Sequence, residues 1–253
     1  MQNRRNSLTT RSKLHAPASR NMKSSPLSFI PPSQSRPMYL PAHFEENRAD
    51  VLHALIAANP FGALVTHGPN GLDANHVPFE FEASPGGHGV LRAHVARANP
   101  VWKEVAPGEN VLVIFQGEDG YISPNFYPSK QETHRQVPTW NYLVVHAHGR
   151  ITVRDDEAYV RGVVARLTRK MEAAEPAPWK MGDAPRDYID QMLGAIVGIE
   201  IEVTRLVGKA KLSQNKADAD RLGAVDGLRQ RGGDAAHALA DAMLATMNPP
   251  SRG

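Results

Sequence analysis

Val51, Leu52, Leu55 and Ile56 recur at helical spacing within residues 45–58, which predicts an amphipathic helix from Glu45 to Ala58. Asn59-Pro60 ends it, because the residue before proline avoids the helical region. The period then shortens to two. Residues 62–67 and 72–82 read as two strands around a Gly68–Gly71 turn, where Asn70-Gly71 supplies positive φ, and Pro78 puts the return strand at an edge or bulge. Val90–Val95 is a third strand. Residues 99–105 form a short helix with Asn99 as N-cap and Pro100 at its first position. Val111–Phe115 is an unbroken apolar run, which predicts a strand buried on both faces. Residues 117–137 are polar and glycine-interrupted and read as a long loop. Thr139–Val153 is a long strand. Asp155–Ala173 is a helix faced by Tyr159, Val163, Leu167 and Met171, and Pro185–Leu193 is a shorter one. Ile196–Leu206 alternates Ile199, Ile201 and Val203 against Glu200, Glu202 and Thr204, and the strand can continue to Leu212. Two terminal helices, Ala217–Leu228 and Asp234–Met247, flank Gly232-Gly233.

The early connections are too short for crossover helices, so most of the sheet is antiparallel. About six such strands tend to close into a barrel, which removes their edges. The fold class expected is mainly β (α+β), with peripheral helices and a C-terminal helical pair. Three segments are expected: a disordered basic extension over 1–37, a barrel domain over 38–216, and a helical extension over 217–253 packed on the barrel.

Composition narrows the chemistry. The 253 residues include no cysteine, which excludes disulfides, thiolate metal sites and cysteine nucleophiles. No apolar run approaches the ~20 residues of a helical membrane span, and a cytoplasmic location is expected. The formal net charge of +3 is uneven: residues 1–37 hold seven Lys/Arg and no acid, leaving a net of −4 over the remainder. A nucleic-acid surface therefore cannot be argued from overall charge. The Ser/Pro/Arg-rich start cannot bury enough apolar surface to order itself and lacks the apolar stretch of a secretory signal. It is compatible with an organelle transit peptide or with an extension upstream of a start at Met38.

Four constellations carry possible chemistry. Leu91–Lys103 runs a strand into a helix start, with Arg97 before the cap and Lys103 after it, a plausible phosphate seat or else a capped helix with solvated cations. Val137–Tyr142 offers Trp140 for stacking and Asn141 as donor and acceptor for a ring edge, or an aromatic belt at a barrel end. His146 and His148 share a strand face at a spacing metal sites use, but no carboxylate accompanies them, so no metal is expected. Lys209–Lys216 ends the last long strand with clustered cations and amides, suited to a phosphate or to the edge of a reduced flavin, or simply solvated. The terminal helix pair invites a helix-turn-helix reading, yet Asp234–Met247 contains no Lys or Arg to contact bases or phosphates.

Seven segments in order resemble the PaiB-type family of FMN-binding negative transcriptional regulators: Met38–Pro41, Asn59–Gly62, His76–Phe79, His94–Pro100, Tyr121–Pro124, Val137–Tyr142 and Lys211–Lys216. The family is similar to the split-barrel flavoproteins related to pyridoxamine-phosphate oxidase, which bind FMN at a homodimer interface. The resemblance implies a split β-barrel and an FMN between two copies. The strand holding Asn75, His76 and Val77 would run along the flavin. His94, Arg97, Asn99 and Trp102 would lie near the phosphate and ribityl chain. Trp140 and Asn141 would meet the ring, and Lys209, Lys211 and Gln214 would complete the site. It also implies either negative regulation, with DNA as a possible partner, or a flavin-dependent oxidoreductase.

Overall fold

The computed structural model describes residues 38–84 and 86–247, so the extension expected over 1–37 lies outside the described residues. The chain runs β1 (Glu45–Glu46), α1 (Ala49–Ala58), β2 (Phe61–Gly68), β3 (Gly71–Pro78), β4 (Glu80–Glu82), β5 (Val90–Ala96), α2 (Val101–Glu104), β6 (Asn110–Ile122), α3 (Pro128–Thr133), β7 (Thr139–Arg154), α4 (Glu157–Met171), α5 (Arg186–Gly194), β8 (Ile196–Lys211), α6 (Asp218–Arg231) and α7 (Asp234–Ala245).

The sheet order is β3-β2-β6-β7-β8-β5-β4, with every pairing antiparallel. Its first and last members, β3 and β4, are separated in sequence by Phe79 alone. They are two halves of one bent strand, so the sheet closes on itself as a six-stranded barrel. Pro78, which cannot donate to a ladder, sits at that bend, where a proline is tolerated. The ring closes with a stagger. His76 is carried through Ala63, Ile114 and His146 to Val207 on β8, whereas Glu80, four residues on, reaches Glu200 through Arg92. The two routes meet β8 offset by roughly ten residues, the kind of shear that tilts strands in a closed barrel.

Inward side chains follow the period of two: Leu64, Leu91, Val113, Val145, Ile199 and Ile201 are fully buried. Phe79 meets Phe115 edge-to-face at 5.7 Å in this core. Leu52 and Ile56 of α1 join it. A second core lies at the far end of β6–β8, where Ile122, Tyr127 and Leu212 pack under α6 and α7 through Val225, Leu228, Leu239 and Met243. Gly227 makes room there: a Cβ would stand 2.3 Å from two carbons of the Phe126 ring.

Four sequence expectations need correction. Glu45 and Glu46 form β1 against Lys209 and Gly208 instead of opening the helix, which starts at Ala49. Residues 117–122 are strand, joined to the front half of β6 by a bulge between Gln116 and Asp119, and residues 124–133 hold two short helical turns, so the expected loop is mostly ordered structure. Val111, Val113 and Phe115 are buried but Leu112 and Ile114 are only half-buried, so this strand is covered by its own chain on one face. Met171 does not join the buried stripe of α4, which is Val160, Val163 and Leu167.

Candidate functional site

The first group of candidates gathers where β5 leaves the barrel. Asn99 Nδ2 donates to Asn75 Oδ1 at 2.6 Å, and Asn75 Nδ2 donates to Asp73 at 3.0 Å. Asn99 Oδ1 accepts from the Val101 amide at 3.0 Å, so the asparagine caps the short helix from one position earlier than an ordinary N-cap. Trp102 Nε1 donates to the Arg97 carbonyl at 3.0 Å, and the Lys103 ammonium lies 4.9 Å from the Trp102 ring centroid. Lys103 has no carboxylate partner among the described residues.

Arg97 is committed elsewhere. Its guanidinium grips Asp155 in a fork at 2.6 and 2.9 Å, and also donates to the carbonyls of Gly194 and Ile196. The pair holds the Asp155 carboxyl below its usual range. Arg97 thus pins the exit of β5 to the corner between α5 and β8, which leaves Lys103 as the available cation of this group. Val77 packs on the barrel core, whereas His76 is exposed on the outer face beside Phe61.

His94 is half-buried, and its Nδ1 has no hydrogen-bond partner. Burial pushes its imidazole below the ordinary value near 6.5. Burial acts in the same direction on His146 and His148. As pH falls, the unfolded chain takes these protons first, so stability is complete above about pH 6.5 and is lost on acidification toward the folded-state values. Urea unfolding from pH 7.5 to 5.5 is expected to show a smaller loss for His94→Gln than for the wild type, and equal losses would remove His94 from this account.

The second group lies at the other end of β7 and β8. Trp140, Tyr142, Val144 and His146, all on one face of β7, line a cavity of about 490 Å³ with Met38, Gln116 and Asp119. Lys209 is 8% exposed, donates to the Tyr39 carbonyl at 2.9 Å and lies over the Tyr39 and Tyr142 rings. It borders a larger apolar cavity of about 860 Å³ between α1, β7–β8 and α7. Asn141 turns inward, fully buried, bonding Ser213 Oγ and Met243 Sδ. Gln214 is spent on the local turn, accepting from the Leu212 amide and donating to the Ala210 carbonyl. Lys211 donates to Thr139 Oγ1 and to the Trp140 carbonyl.

The two groups share none of these cavities. The Arg97 amide bonds the Ala195 carbonyl, whereas Lys211 ends β8 sixteen residues later, about 50 Å of strand at ~3.3 Å per residue. In the other direction β2, β6 and β7 separate β3 from β8. The cavity residues Gln116, Asp119, Tyr142, Val144 and His146 were not singled out as flavin contacts from sequence. The period of two through β7 marks Tyr142, Val144 and His146 as neighbours of Trp140, but nothing local marks Gln116 or Asp119.

Residues 38–205 match the family model described as "Putative FMN-binding domain". The chain belongs to this FMN-binding family. Relatives support the assignment along most of the length. An uncharacterized protein of Emericella nidulans is 33% identical over 239 residues, covering 81% of this chain and 95% of the relative. Protease synthase and sporulation protein PAI 2 of Bacillus subtilis is 29% identical over 206 residues, covering 81% and 96%. Among solved structures, the FAD and heme binding protein from Mycobacterium smegmatis aligns with a TM-score of 0.49 at 16% identity, covering 75% of this chain and 80% of that one.

FMN is the cofactor that the family's description names, and the residues present fit it. The first group offers a cation over an indole and two linked amides. The second offers an aromatic-walled cavity beside a buried ammonium. Phosphate, polyol and ring each find a matching chemistry. Among the described residues no cluster of His, Asp or Glu is arranged to hold a metal, and no helix is long and apolar enough to cross a membrane.

Proposed function

We propose that the protein works as a homodimer that holds one FMN per protomer in a groove between copies. The first group comes from one protomer and the second from its partner. The observation that carries this reading is the outer face of β2, β6, β7 and β8. Ala63, Val65, Leu112, Ile114, Val144 and Val207 lie there, apolar and only half-buried, between two half-sites that one copy leaves apart. A contiguous apolar face of this kind marks an interaction surface. A second copy covers it with the same face, as a two-fold interface requires.

In this reading Lys103 receives the phosphate, Asn75 and Asn99 the polyol, and Trp140, Tyr142 and Lys209 the ring. FMN supplies one- and two-electron redox chemistry when bound; the protein binds it, orients it and excludes water. The biological role proposed is negative regulation of the PaiB type, supported by the similarity to the Bacillus subtilis relative. A second reading, a flavin-dependent oxidoreductase, is favoured by the charge distribution: α7 carries no Lys or Arg and residues 38–253 are net acidic. Binding of promoter DNA at physiological salt without NAD(P)H turnover supports regulation, and the reverse supports the enzyme.

FMN titration tests the site itself. The full chain is expected to bind one equivalent per protomer. Lys103→Ala is expected to weaken binding by about 1.5–3 kcal/mol, the usual worth of a hydrogen bond to a charged group. Unchanged affinity in this variant would move the phosphate elsewhere.

A further inference from the structure

A smaller cavity, of about 200 Å³, opens beside the end of β8; the resemblance puts its Asn141 and Lys211 at the flavin, but the groove proposed above uses neither. Phe44, Thr139, Asn141, Lys211, Ser213, Asn215 and Lys216 are among its walls, and no carboxylate is. Two ammonium groups face this space. Lys211 donates to Thr139 Oγ1 and the Trp140 carbonyl, and Lys216 donates to Gln136 Oε1 at 2.7 Å. Each ammonium has three donors, so hydrogens remain on both. Neither forms a salt bridge with an acid among the described residues. Both instead lie over aromatic rings, Lys211 over Phe44 and Lys216 over Tyr127. Like charge and burial together push the Lys211 ammonium toward deprotonation, burial first and then Lys209 and Lys216.

The turn that brings these cations together is itself unusual. Ser213 has φ 66°, a left-handed conformation that a residue with a side chain rarely adopts. The surroundings over-determine it. Gln214 ties the Leu212 amide to the Ala210 carbonyl, the Lys216 amide bonds the Ser213 carbonyl, and Asn141 holds the Ser213 hydroxyl. Strain kept in place by so many bonds, next to unpaired like charges in a walled cavity, is the pattern of a preorganised site. Asp220 reaches Lys216 only through Gln136 and lines no part of the cavity, so two cations face a space with no carboxylate in its wall, a setting suited to an anion.

We propose that this cavity binds a small oxyanion, either inorganic phosphate or the phosphate head of a small molecule, between Lys211 and Lys216. Its volume suits one tetrahedral group with a few waters. The site stands whether or not FMN occupies the groove described above.

Calorimetric titration of the FMN-loaded protein with inorganic phosphate, against sodium chloride at matched ionic strength, tests it. Saturable binding is expected with FMN retained. Lys216→Gln and Lys211→Met are each expected to weaken binding about tenfold or more, as loss of a charge-assisted contact does. Methyl phosphate binding as well as inorganic phosphate points to the head of a larger molecule, and failure of methyl phosphate alone points to the free ion. Absence of saturable phosphate binding overturns the proposal, as does equal affinity in a folded Lys216→Gln protein. Release of FMN in step with phosphate binding also overturns it, since the cavity would then be the cofactor's own seat.

Discussion

Replacing Ile114 with glutamate is expected to give a folded monomer that no longer retains FMN. Ile114 lies in the outer row formed with Ala63, His146 and Val207, and it is half-buried in one copy. The barrel core is built from the opposite face of the same strand, so a charge at 114 leaves Val113 and Phe115 undisturbed. In a two-fold interface the substitution enters twice, and each carboxylate loses water without gaining a partner. An unpaired charge in such a setting costs several kcal/mol, enough to separate most two-fold dimers at micromolar concentration. With FMN held between copies as proposed, each half-site lacks its complement in a single copy, and flavin is lost with the partner. Sedimentation velocity reads the association state, and absorbance of the purified protein reads the cofactor. A dimeric, yellow Ile114→Glu protein would place the interface on another face.

The second large effect concerns stability. Phe79→Ala is expected to lower the unfolding free energy by about 3–5 kcal/mol, the range for deleting a buried aromatic ring. Phe79 is 1% exposed, packs edge-to-face on Phe115, and its amide donates to the Pro60 carbonyl at 2.8 Å. It is the single residue between the two half-strands that close the ring, so the cavity left by truncation opens at the seam. Phe79→Leu keeps most of the volume and is expected to cost less than the alanine change. Urea unfolding monitored by tryptophan fluorescence measures both. A loss under about 1 kcal/mol for the alanine variant would mean that the seam is held by the ladders alone.

The barrel was largely legible because its strands obey one physical rule. Residues 196–206 alternate cleanly, and that alternation is the inward and outward facing of β8. Residues 117–122 were not legible. Gly117 and Gly120 weaken any strand signal, yet pairing with β7 and the cover of α7 hold the segment extended, and Leu239 approaches where a Cβ at Gly120 would stand. Val111–Phe115 misled in an informative way: its continuous apolar pattern was right about two buried faces only if a second molecule supplies the other. At the site, Asn99 and Trp102 could be grouped from their spacing. The commitment of Arg97 to Asp155 could not, since 58 residues separate the pair and the corner that joins them forms only in the closed barrel.

The bend at Phe79 also governs how copies of this molecule can meet. A sheet whose two outermost strands are the same piece of backbone is laddered across its seam at Glu80–Glu82 against Val90–Arg92, while residues 71–78 are laddered to β2 alone. Lateral growth by strand addition, the usual hazard of β-rich proteins, is thereby suppressed at the seam and confined to the other edge of β3. Elsewhere on the wall association is left to side chains, so partner choice there is written in which residues decorate the barrel and can change without disturbing a ladder bond.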